Sequence, residues 1–171
     1  RKNLMNYLND EEQQTRMIYN NMMNNVAGAG KYPLVSGDAV IDYFDGKRVG
    51  LITNPTGINS NYESTIDILF EKVNLVALFS PEHGIRGNLQ AGETLGTYID
   101  EITNLPVYSL YGNTKKPTKA MMDQLDVLCI DLQDAGARFY TYIYTMAYAM
   151  EACKEYDKEF VVFDRPNPAG G

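Results

Sequence analysis

The sequence contains little cysteine, histidine or tryptophan, and it has no long apolar run. In 171 residues there are two cysteines, one histidine and no tryptophan. Cys129 and Cys153 lie far apart and match no metal-binding spacing, so we interpret them as buried free thiols rather than as a disulfide or a zinc site. No stretch approaches the roughly 18 consecutive apolar residues of a transmembrane helix. The sequence therefore predicts no membrane span and no cysteine-based metal site.

Basic residues are also in the minority. Fifteen lysines and arginines stand against 22 acidic residues, which gives a net charge of −7. Proteins that bind nucleic acid concentrate lysine and arginine, so we exclude nucleic acid as the main partner. The Gly-x-Gly-x-x-Gly fingerprint of dinucleotide binding should follow the first predicted strand, but "NPTGIN" stands there instead. The sequence therefore predicts no nucleotide cofactor.

The length and the 44% hydrophobic content suit one globular domain with a substantial core. Residues 1–30 differ from the rest because they are rich in Asn, Gln and Met and end in small residues. We interpret them as an N-terminal extension or linker, and residues 31–171 as the folded domain. No secretory leader pattern is visible, and the chain starts at Arg1 rather than at a methionine. We therefore expect either a processed protein or a piece of a longer one.

A regular alternation of short apolar runs and amphipathic segments begins after Tyr32. The runs are apolar throughout, as is typical of strands buried on both faces. The predicted strands are 48–53, 75–80, 106–111, 126–132 and 160–164, and the predicted helices are 64–72, 116–125 and 140–156. This order predicts an α/β fold with a doubly wound, mostly parallel sheet and helices on both faces.

Unusual polar clusters follow every predicted strand. They are "TNPTGIN", "SPEHGIRG" with "AGE" soon after it, "YGNTKKP", "QDAGARFYTY" and "RPNPAGG". Ligands of open parallel sheets bind beyond the carboxyl ends of the strands. The sequence therefore predicts a functional site at this edge of the sheet.

Glu82 and Glu93 are the candidate catalytic carboxylates in the loop after the second strand. Glycosidases commonly use two such groups, one that protonates the leaving oxygen and one that acts as base or nucleophile. The alternative is that Glu82 caps a turn and Glu93 is solvated. The only histidine, His83, is a candidate base, metal ligand or orienting donor. A metal site at His83 is disfavoured, because a second nitrogen or sulfur ligand is absent, and ligation by carboxylate oxygens of Asp131, Asp134 and Glu82 is a less favoured alternative.

Three of the six arginines fall on strand-end loops, namely Arg86, Arg138 and Arg165. Guanidinium groups bind carboxylates in a bidentate manner, so this cluster indicates an anionic ligand. Internal ion pairs with Asp131, Asp134 or Asp164 are the alternative.

Tyrosines and an asparagine complete the candidate site. Tyr140, Tyr142 and Tyr144 alternate where a helix should begin, and their rings and hydroxyls suit sugar recognition. Core packing is an equal alternative for Tyr140 and Tyr144. Asn54 either binds a ligand or forms an Asx turn before Pro55.

Six motifs, taken in order, resemble one known family. They are "GKRVGLITNPTGIN", "LVALFSPEHGIRG", "AGE", "LPVYSLYG", "DVLCIDLQDAGARFYTYIYTM" and "FVVFDRPNPAGG". Together they resemble the NamZ family of bacterial exo-β-N-acetylmuramidases over roughly Pro33 to Gly171. Six separate motifs in sequence make this resemblance highly specific.

The resemblance implies a Rossmann-like catalytic domain over residues 31–171, which in the family continues into a smaller C-terminal domain, so we expect this chain to be truncated. It implies exo-acting removal of terminal β-1,4-linked N-acetylmuramic acid from peptidoglycan fragments or muropeptides, with no cofactor or metal. A periplasmic, secreted or cell-surface setting follows from that substrate. Carried over by motif, Glu82 is the general acid and Glu93 its partner. The implied substrate-binding residues are Asn54, His83, Arg86, Gln133, Arg138, Tyr140 and Arg165.

Two other functions remain open at this point. One is a domain that holds muropeptides without cleaving them. The other is a metal-dependent hydrolase of another anionic substrate. The lactyl carboxylate of muramic acid favours the glycosidase, because it is an anion that clustered arginines would bind.

Overall fold

The structure is a computed structural model that describes residues 41–59, 61–87, 96–137 and 140–165. The described residues from Phe44 onward belong to one compact unit, which we consider by itself. The predicted N-terminal extension, residues 1–30, and the predicted start of the domain at residue 31 lie outside the described residues.

The five predicted strands are confirmed. One more strand, β3, was not predicted, because two residues are too short to show an apolar run. The elements, in chain order, are β1 Val49–Thr53, α1 Thr65–Lys72, β2 Leu75–Ser80, β3 Tyr98–Ile99, β4 Pro106–Ser109, α2 Lys119–Met122, β5 Val127–Asp131, α3 Tyr142–Glu155 and β6 Glu159–Val162.

The strands form one sheet in the order β3-β4-β2-β1-β5-β6. Each neighbouring pair from β4 to β6 is parallel, and only β3 runs antiparallel, beside β4. The parallel strands progress outward from β1 in both directions, so the order reverses between β1 and β5. The carboxyl ends of β1 and β5 therefore flank the switch point at which open α/β sheets bind ligands.

Helices cover both faces of the sheet, as predicted. Ile52, Phe79 and Ile130 face α2 and α3, and they pack in a cluster with buried residues of those helices such as Met122 and Ala149. The opposite face bears α1, whose first turn bonds the side chain of Asp131 through the Thr65 hydroxyl. The helices on the two faces of the sheet therefore flank the loops that follow the strands.

The helix boundaries follow from local chemistry. Ser64 caps α1 by accepting a hydrogen bond from the Ile66 amide at 3.2 Å, which satisfies a donor left unpaired at a helix start. α2 is shorter than predicted, because it begins after Thr118 and ends at Asp123. No helix in the described ranges is long and apolar enough to cross a membrane.

Both cysteines are free and buried, as predicted. Burial raises the pKa of each thiol, because the charged thiolate is poorly solvated in the core. Neither sulfur is therefore a reactive group at neutral pH.

Candidate active site

The carboxyl group of Glu82 lies where three strand-end segments meet. Glu82 is half-buried in the loop after β2. The Thr141 hydroxyl, just before α3, donates to Glu82 Oε2 at 3.4 Å. Tyr111, in the loop after β4, has a raised pKa, chiefly because the Glu82 carboxylate acts on its hydroxyl as a hydrogen-bond acceptor and also as a negative charge. The sheet topology thus brings a threonine hydroxyl and a phenol toward one carboxyl group.

The turn after Glu82 has an unusual backbone. His83 has φ 75° and Gly84 has φ 79°, so two consecutive residues adopt the left-handed region. A side chain is strained there, and such strain is concentrated at functional sites. His83 is exposed while Glu82 and Arg86 are half-buried. The turn therefore leaves the side chain of His83, the residue after Glu82, exposed at the surface.

Arg86 anchors the same loop to the body of the domain. Its Nε lies 2.8 Å from Asp100 Oδ1, and its Nη2 lies 3.0 Å from Asp100 Oδ2. Nη2 also bonds Asp67 on α1 at 3.3 Å. The Arg86 hydrogen bond, with help from Thr103, lowers the pKa of the buried Asp100 carboxyl to about 2. The positive charge of Arg86 is therefore already paired with carboxylates of the protein itself.

Asn54 builds the turn after β1. Its Oδ1 accepts a hydrogen bond from the Thr56 amide at 2.9 Å, which is the Asx turn considered from the sequence. Its Nδ2 donates to the Tyr142 hydroxyl at 2.9 Å. Because the Tyr142 oxygen accepts this bond, its own proton is able to serve another acceptor. Burial raises the pKa of Tyr142, so this phenol stays protonated at neutral pH.

Asp131, at the end of β5, is buried and binds Arg165. Arg165 Nε donates to Asp131 Oδ1 at 2.5 Å, and Nη2 donates to Oδ2 at 2.8 Å. Thr65 Oγ1 donates to Oδ2 at 2.5 Å, and Arg165 Nη2 also reaches the Ile58 carbonyl at 2.9 Å. Gly57 must lack a side chain here, since a Cβ atom would collide with Thr53 Oγ1. The internal ion pair considered for Arg165 is therefore present.

Gln133 and Tyr140 lie at the same edge of the sheet. The Gln133 amide donates to Thr56 Oγ1 at 3.0 Å, and its side chain donates to the Asp134 carbonyl at 2.9 Å. The Tyr140 ring lies 5.8 Å from the Tyr142 ring. Tyr140 is 45% exposed and Tyr144 is 61% exposed, so core packing was the wrong alternative for both. Tyr140 thus offers an aromatic surface to solvent beside Tyr142.

Two predicted site residues, Glu93 and Arg138, lie outside the described residues. Among the described ranges no group of three or more His, Cys, Asp or Glu side chains is arranged to hold a metal ion. The oxygen-ligand alternative needed Asp131, whose carboxylate is taken by Arg165 and Thr65.

Two residues at this edge of the sheet, Tyr111 and Thr141, were not among those predicted to act. Thr141 bonds Glu82, and Glu82 raises the pKa of Tyr111. Their position after β4 or at the start of α3 is the signal that marks them, because those segments end at the same edge of the sheet as Glu82. Residue type alone does not separate Tyr111 from the other twelve of the chain's 13 tyrosines.

The reversed strand order of the parallel sheet defines a Rossmann-like α/β domain, with polar side chains gathered beyond the carboxyl ends of its strands. The family described as "Exo-beta-N-acetylmuramidase NamZ, N-terminal" matches residues 49–171. The chain belongs to this family.

Similar proteins agree with this assignment. The chain is 62% identical over 128 residues to the peptidoglycan β-N-acetylmuramidase NamZ of Bacillus subtilis (strain 168), covering 74% of this chain and 31% of that protein. A DUF1343 family crystal structure from Bacteroides fragilis NCTC 9343 matches with a TM-score of 0.71 and 56% identity, over 78% of this chain and 34% of the other. A second one from the same organism has a TM-score of 0.66 and 42% identity, with the same coverage. The chain thus spans about a third of the length of these relatives.

Proposed function

We propose that this chain carries the catalytic part of a glycosidase that removes terminal β-1,4-linked N-acetylmuramic acid from peptidoglycan fragments. The observation that carries the proposal is the half-buried Glu82 carboxyl, which accepts a hydrogen bond from Thr141 at the carboxyl edge of the sheet. The 62% identity to a protein named as a peptidoglycan β-N-acetylmuramidase supports it.

Glu82 would act as the general acid. As the bond between the anomeric carbon and the glycosidic oxygen breaks, the Glu82 proton passes to that oxygen, so the leaving sugar departs as a neutral alcohol. Water supplies the new oxygen on the anomeric carbon, and the proton that it loses restores the acid. A second carboxylate is needed as base or nucleophile, and Glu93 stays the predicted group for that role.

Substrate recognition would involve the polar groups around Glu82. Asn54, His83, Gln133 and Tyr140 are proposed to contact the sugar, with the exposed Tyr140 ring available for stacking on it. The lactyl carboxylate needs donors, and Arg86 and Arg165 at this edge are already bound to Asp100 and Asp131. Arg86 and Arg165 are therefore proposed to shape the pocket and to add a positive potential. Arg138 stays a prediction as the direct ligand of the carboxylate.

Peptidoglycan lies outside the cytoplasmic membrane. We therefore propose that the protein works in a periplasmic, secreted or cell-surface setting. Fractionation of cells with an antibody to the chain would test this, and recovery in the cytoplasm alone would contradict it.

The test of Glu82 is the substitution Glu82→Gln, which keeps the size of the side chain and removes its acid. Release of free N-acetylmuramic acid from a muramyl-terminated disaccharide, measured by mass spectrometry, should fall by about 10²-fold to 10⁴-fold. The matched control is Glu71→Gln, an exposed glutamate near the far end of α1, which should leave the rate unchanged. Undiminished release by Glu82→Gln would exclude Glu82 as the acid.

The two alternatives give different results in the same assay. A muropeptide-binding domain would bind N-acetylmuramic acid in calorimetry and release nothing. A metal-dependent hydrolase would lose its activity to a chelator and regain it with a divalent ion. The glycosidase proposed here should be insensitive to the chelator.

A further inference from the structure

We infer that the Tyr142 hydroxyl is a substrate-binding donor, which Asn54 orients so that its proton points to an acceptor oxygen of the terminal muramic acid. This inference rests on the proposed function, because that function supplies the sugar. The family motifs implied Tyr140 as a substrate-binding residue but not Tyr142. The inference also gives Asn54 a positioning role besides its proposed contact with the sugar.

The backbone at Thr56 determines which way the Asn54 amide faces. The Thr56 N–H donates to Asn54 Oδ1 at 2.9 Å. A backbone N–H only donates, so the side-chain atom that it meets must be the oxygen. The other atom of the amide, Nδ2, is therefore the one that lies 2.9 Å from the Tyr142 hydroxyl. Since an amide nitrogen only donates, the Tyr142 oxygen is the acceptor of this bond.

The Thr56 hydroxyl requires the same orientation. The Gln133 amide donates to Thr56 Oγ1 at 3.0 Å, which leaves the hydroxyl proton for Asn54 Oδ1 at 2.5 Å. Asn54 is only 5% exposed, so a flipped amide would place its NH2 group against two donors without water to replace the lost bonds. The loops after β1 and β5 therefore impose the direction of the bond to Tyr142.

The Tyr142 proton is available to a ligand. Within the residues that the structure describes, the bond from Asn54 is the one hydrogen bond of the Tyr142 side chain. Burial raises the pKa of Tyr142, and the charge of Glu82 adds to this rise, so the phenol keeps its proton at neutral pH. A hydroxyl whose oxygen already accepts a bond acts as a donor, which suits a carbonyl or carboxylate oxygen.

Tyr142 lies beside groups that are proposed to act on the sugar. Thr141, the preceding residue, donates to Glu82 Oε2 at 3.4 Å. The Tyr140 ring lies 5.8 Å from the Tyr142 ring, with an angle of 57° between their planes. A sugar that stacks on Tyr140 with its glycosidic oxygen at Glu82 would therefore have Tyr142 among its immediate neighbours. The acetamido carbonyl and the lactyl carboxylate of muramic acid are acceptors that such a donor would bind.

The kinetic test is Tyr142→Phe, which removes the donor and keeps the ring. We expect kcat/KM for release of N-acetylmuramic acid from the muramyl disaccharide to fall by about fivefold to fiftyfold, as for one lost hydrogen bond. The matched control is Tyr108→Phe, which loses an internal bond to Gln124 of 2.7 Å and should leave kcat/KM unchanged. Equal rates for Tyr142→Phe and the unaltered protein would overturn the inference and leave the glycosidase standing.

Asn54→Ser tests the positioning role. Serine keeps an oxygen that accepts from the Thr56 amide, but it places no donor at the position of Nδ2. The fall in kcat/KM that Asn54→Ser causes should be smaller in the Tyr142→Phe background than in the unaltered protein, because the hydroxyl that Asn54 orients is then gone. Equal falls in the two backgrounds would refute the positioning role.

NMR of 15N-labelled protein detects the contact without any activity. The Asn54 Nδ2 protons are assigned from their absence in Asn54→Ser. One of them should shift upfield in Tyr142→Phe, where it loses its acceptor, and neither should shift in Tyr108→Phe. Unchanged signals in Tyr142→Phe would refute the contact, whatever the enzyme does. A shifted signal with no sugar release by the unaltered protein would keep the contact and reject the glycosidase.

Inhibition by free sugars identifies the acceptor oxygen. If Tyr142 binds the acetamido carbonyl, Tyr142→Phe should raise the inhibition constants of both N-acetylmuramic acid and N-acetylglucosamine. If it binds the lactyl carboxylate, the constant for N-acetylmuramic acid alone should rise. Unchanged constants for both sugars would contradict the assignment of Tyr142 as a donor to the sugar.

Discussion

Arg86 and Arg165 each bind a buried aspartate at the carboxyl edge of the sheet. Asp100 and Asp131 are 4% and 1% exposed, and each accepts two hydrogen bonds from its arginine. A buried carboxylate needs such a partner, because desolvation without one costs several kcal/mol. The two guanidinium groups therefore stabilise the framework of the site. They would act on an anionic ligand through their positive electrostatic potential rather than through a new bidentate contact.

Replacing Asp131 by Asn tests this framework. The amide leaves Arg165 without its counter-charge, and removal of one partner from a buried pair costs about 3–5 kcal/mol. A quarter of the Arg165 side chain is exposed, so water offsets part of the loss, and we expect the free energy of unfolding to fall by about 3 kcal/mol. Chemical denaturation measures it.

The control for that substitution is Asp123→Asn, which breaks an exposed pair with Lys119 on α2. Exposed pairs contribute little to stability, so this variant should unfold like the unaltered protein. Equal stability of the two variants would show that the Asp131 pair is not a support of the site.

For single residues, the sequence predicted their place in the fold better than it predicted their hydrogen-bond partners. The placement of Glu82 and Asn54 after apolar strands was enough to expect them at one edge, and the Asx turn of Asn54 follows from its place before Pro55. The choice of Asp100 as the partner of Arg86 was not predictable, because it depends on β3, a two-residue strand with no apolar pattern. The placement of Tyr111 beside the loop that carries Glu82 depends on the β2–β4 register, which no local pattern specifies.

The loop after β2 is the element that determines the geometry of the site. Its left-handed residues His83 and Gly84 turn the chain just after Glu82. Arg86 then fixes the far end of the turn through Asp100 and Asp67. The loop is therefore held on both sides of the strained residues, by the sheet before them and by the ion pair after them.

This anchor should weaken in acid. The pKa of Asp100 is about 2 in the folded protein, chiefly because of Arg86, and about 3.9 in an unfolded chain. A lowered pKa stabilises the fold above the unfolded value, so the contribution is complete near neutral pH and is lost as the pH falls through roughly 4 to 2. The shift corresponds to about 2.6 kcal/mol.

The measurement compares the unaltered protein with Asp100→Asn by denaturation between pH 7 and pH 2. The difference between their free energies of unfolding should narrow below about pH 4, because protonation removes in one protein what substitution removed in the other. The control is Asp67→Asn, which alters a 53% exposed partner of Arg86. The difference in free energy of unfolding between this variant and the unaltered protein should not narrow in the same way. A difference that is constant with pH would contradict the anchor.

At the level of secondary structure, the buried parallel strands were predictable from the sequence, but the ends of the helices between them were not. Five runs without polar alternation had to be strands covered on both faces, and each was found. α2 was predicted over residues 116–125, but the helix covers only Lys119–Met122, and Leu125 packs into the core just after it. Tertiary packing decides such ends.

In the molecule as a whole, the strand order brings the polar side chains of the candidate site to one edge of the sheet. Loops after β1, β2, β4, β5 and β6 are distant in sequence, and they meet because their strands are parallel neighbours. The fold class and the edge of the site were therefore predictable from composition and order alone. Which groups touch was not, since this depends on side-chain packing between loops.

The account is tested most directly by release of the chromophore from an aryl β-N-acetylmuramide, with the matching N-acetylglucosaminide as control. The two substrates differ by the lactyl group, so the comparison reports recognition of that group as well as cleavage. The assay would use the chain as it stands and the chain extended by the coding sequence that adjoins it. We predict release from the muramide, and little from the glucosaminide, in at least the longer protein. No release of the chromophore from the muramide by either protein, or equal release from the two substrates, would contradict the proposed function.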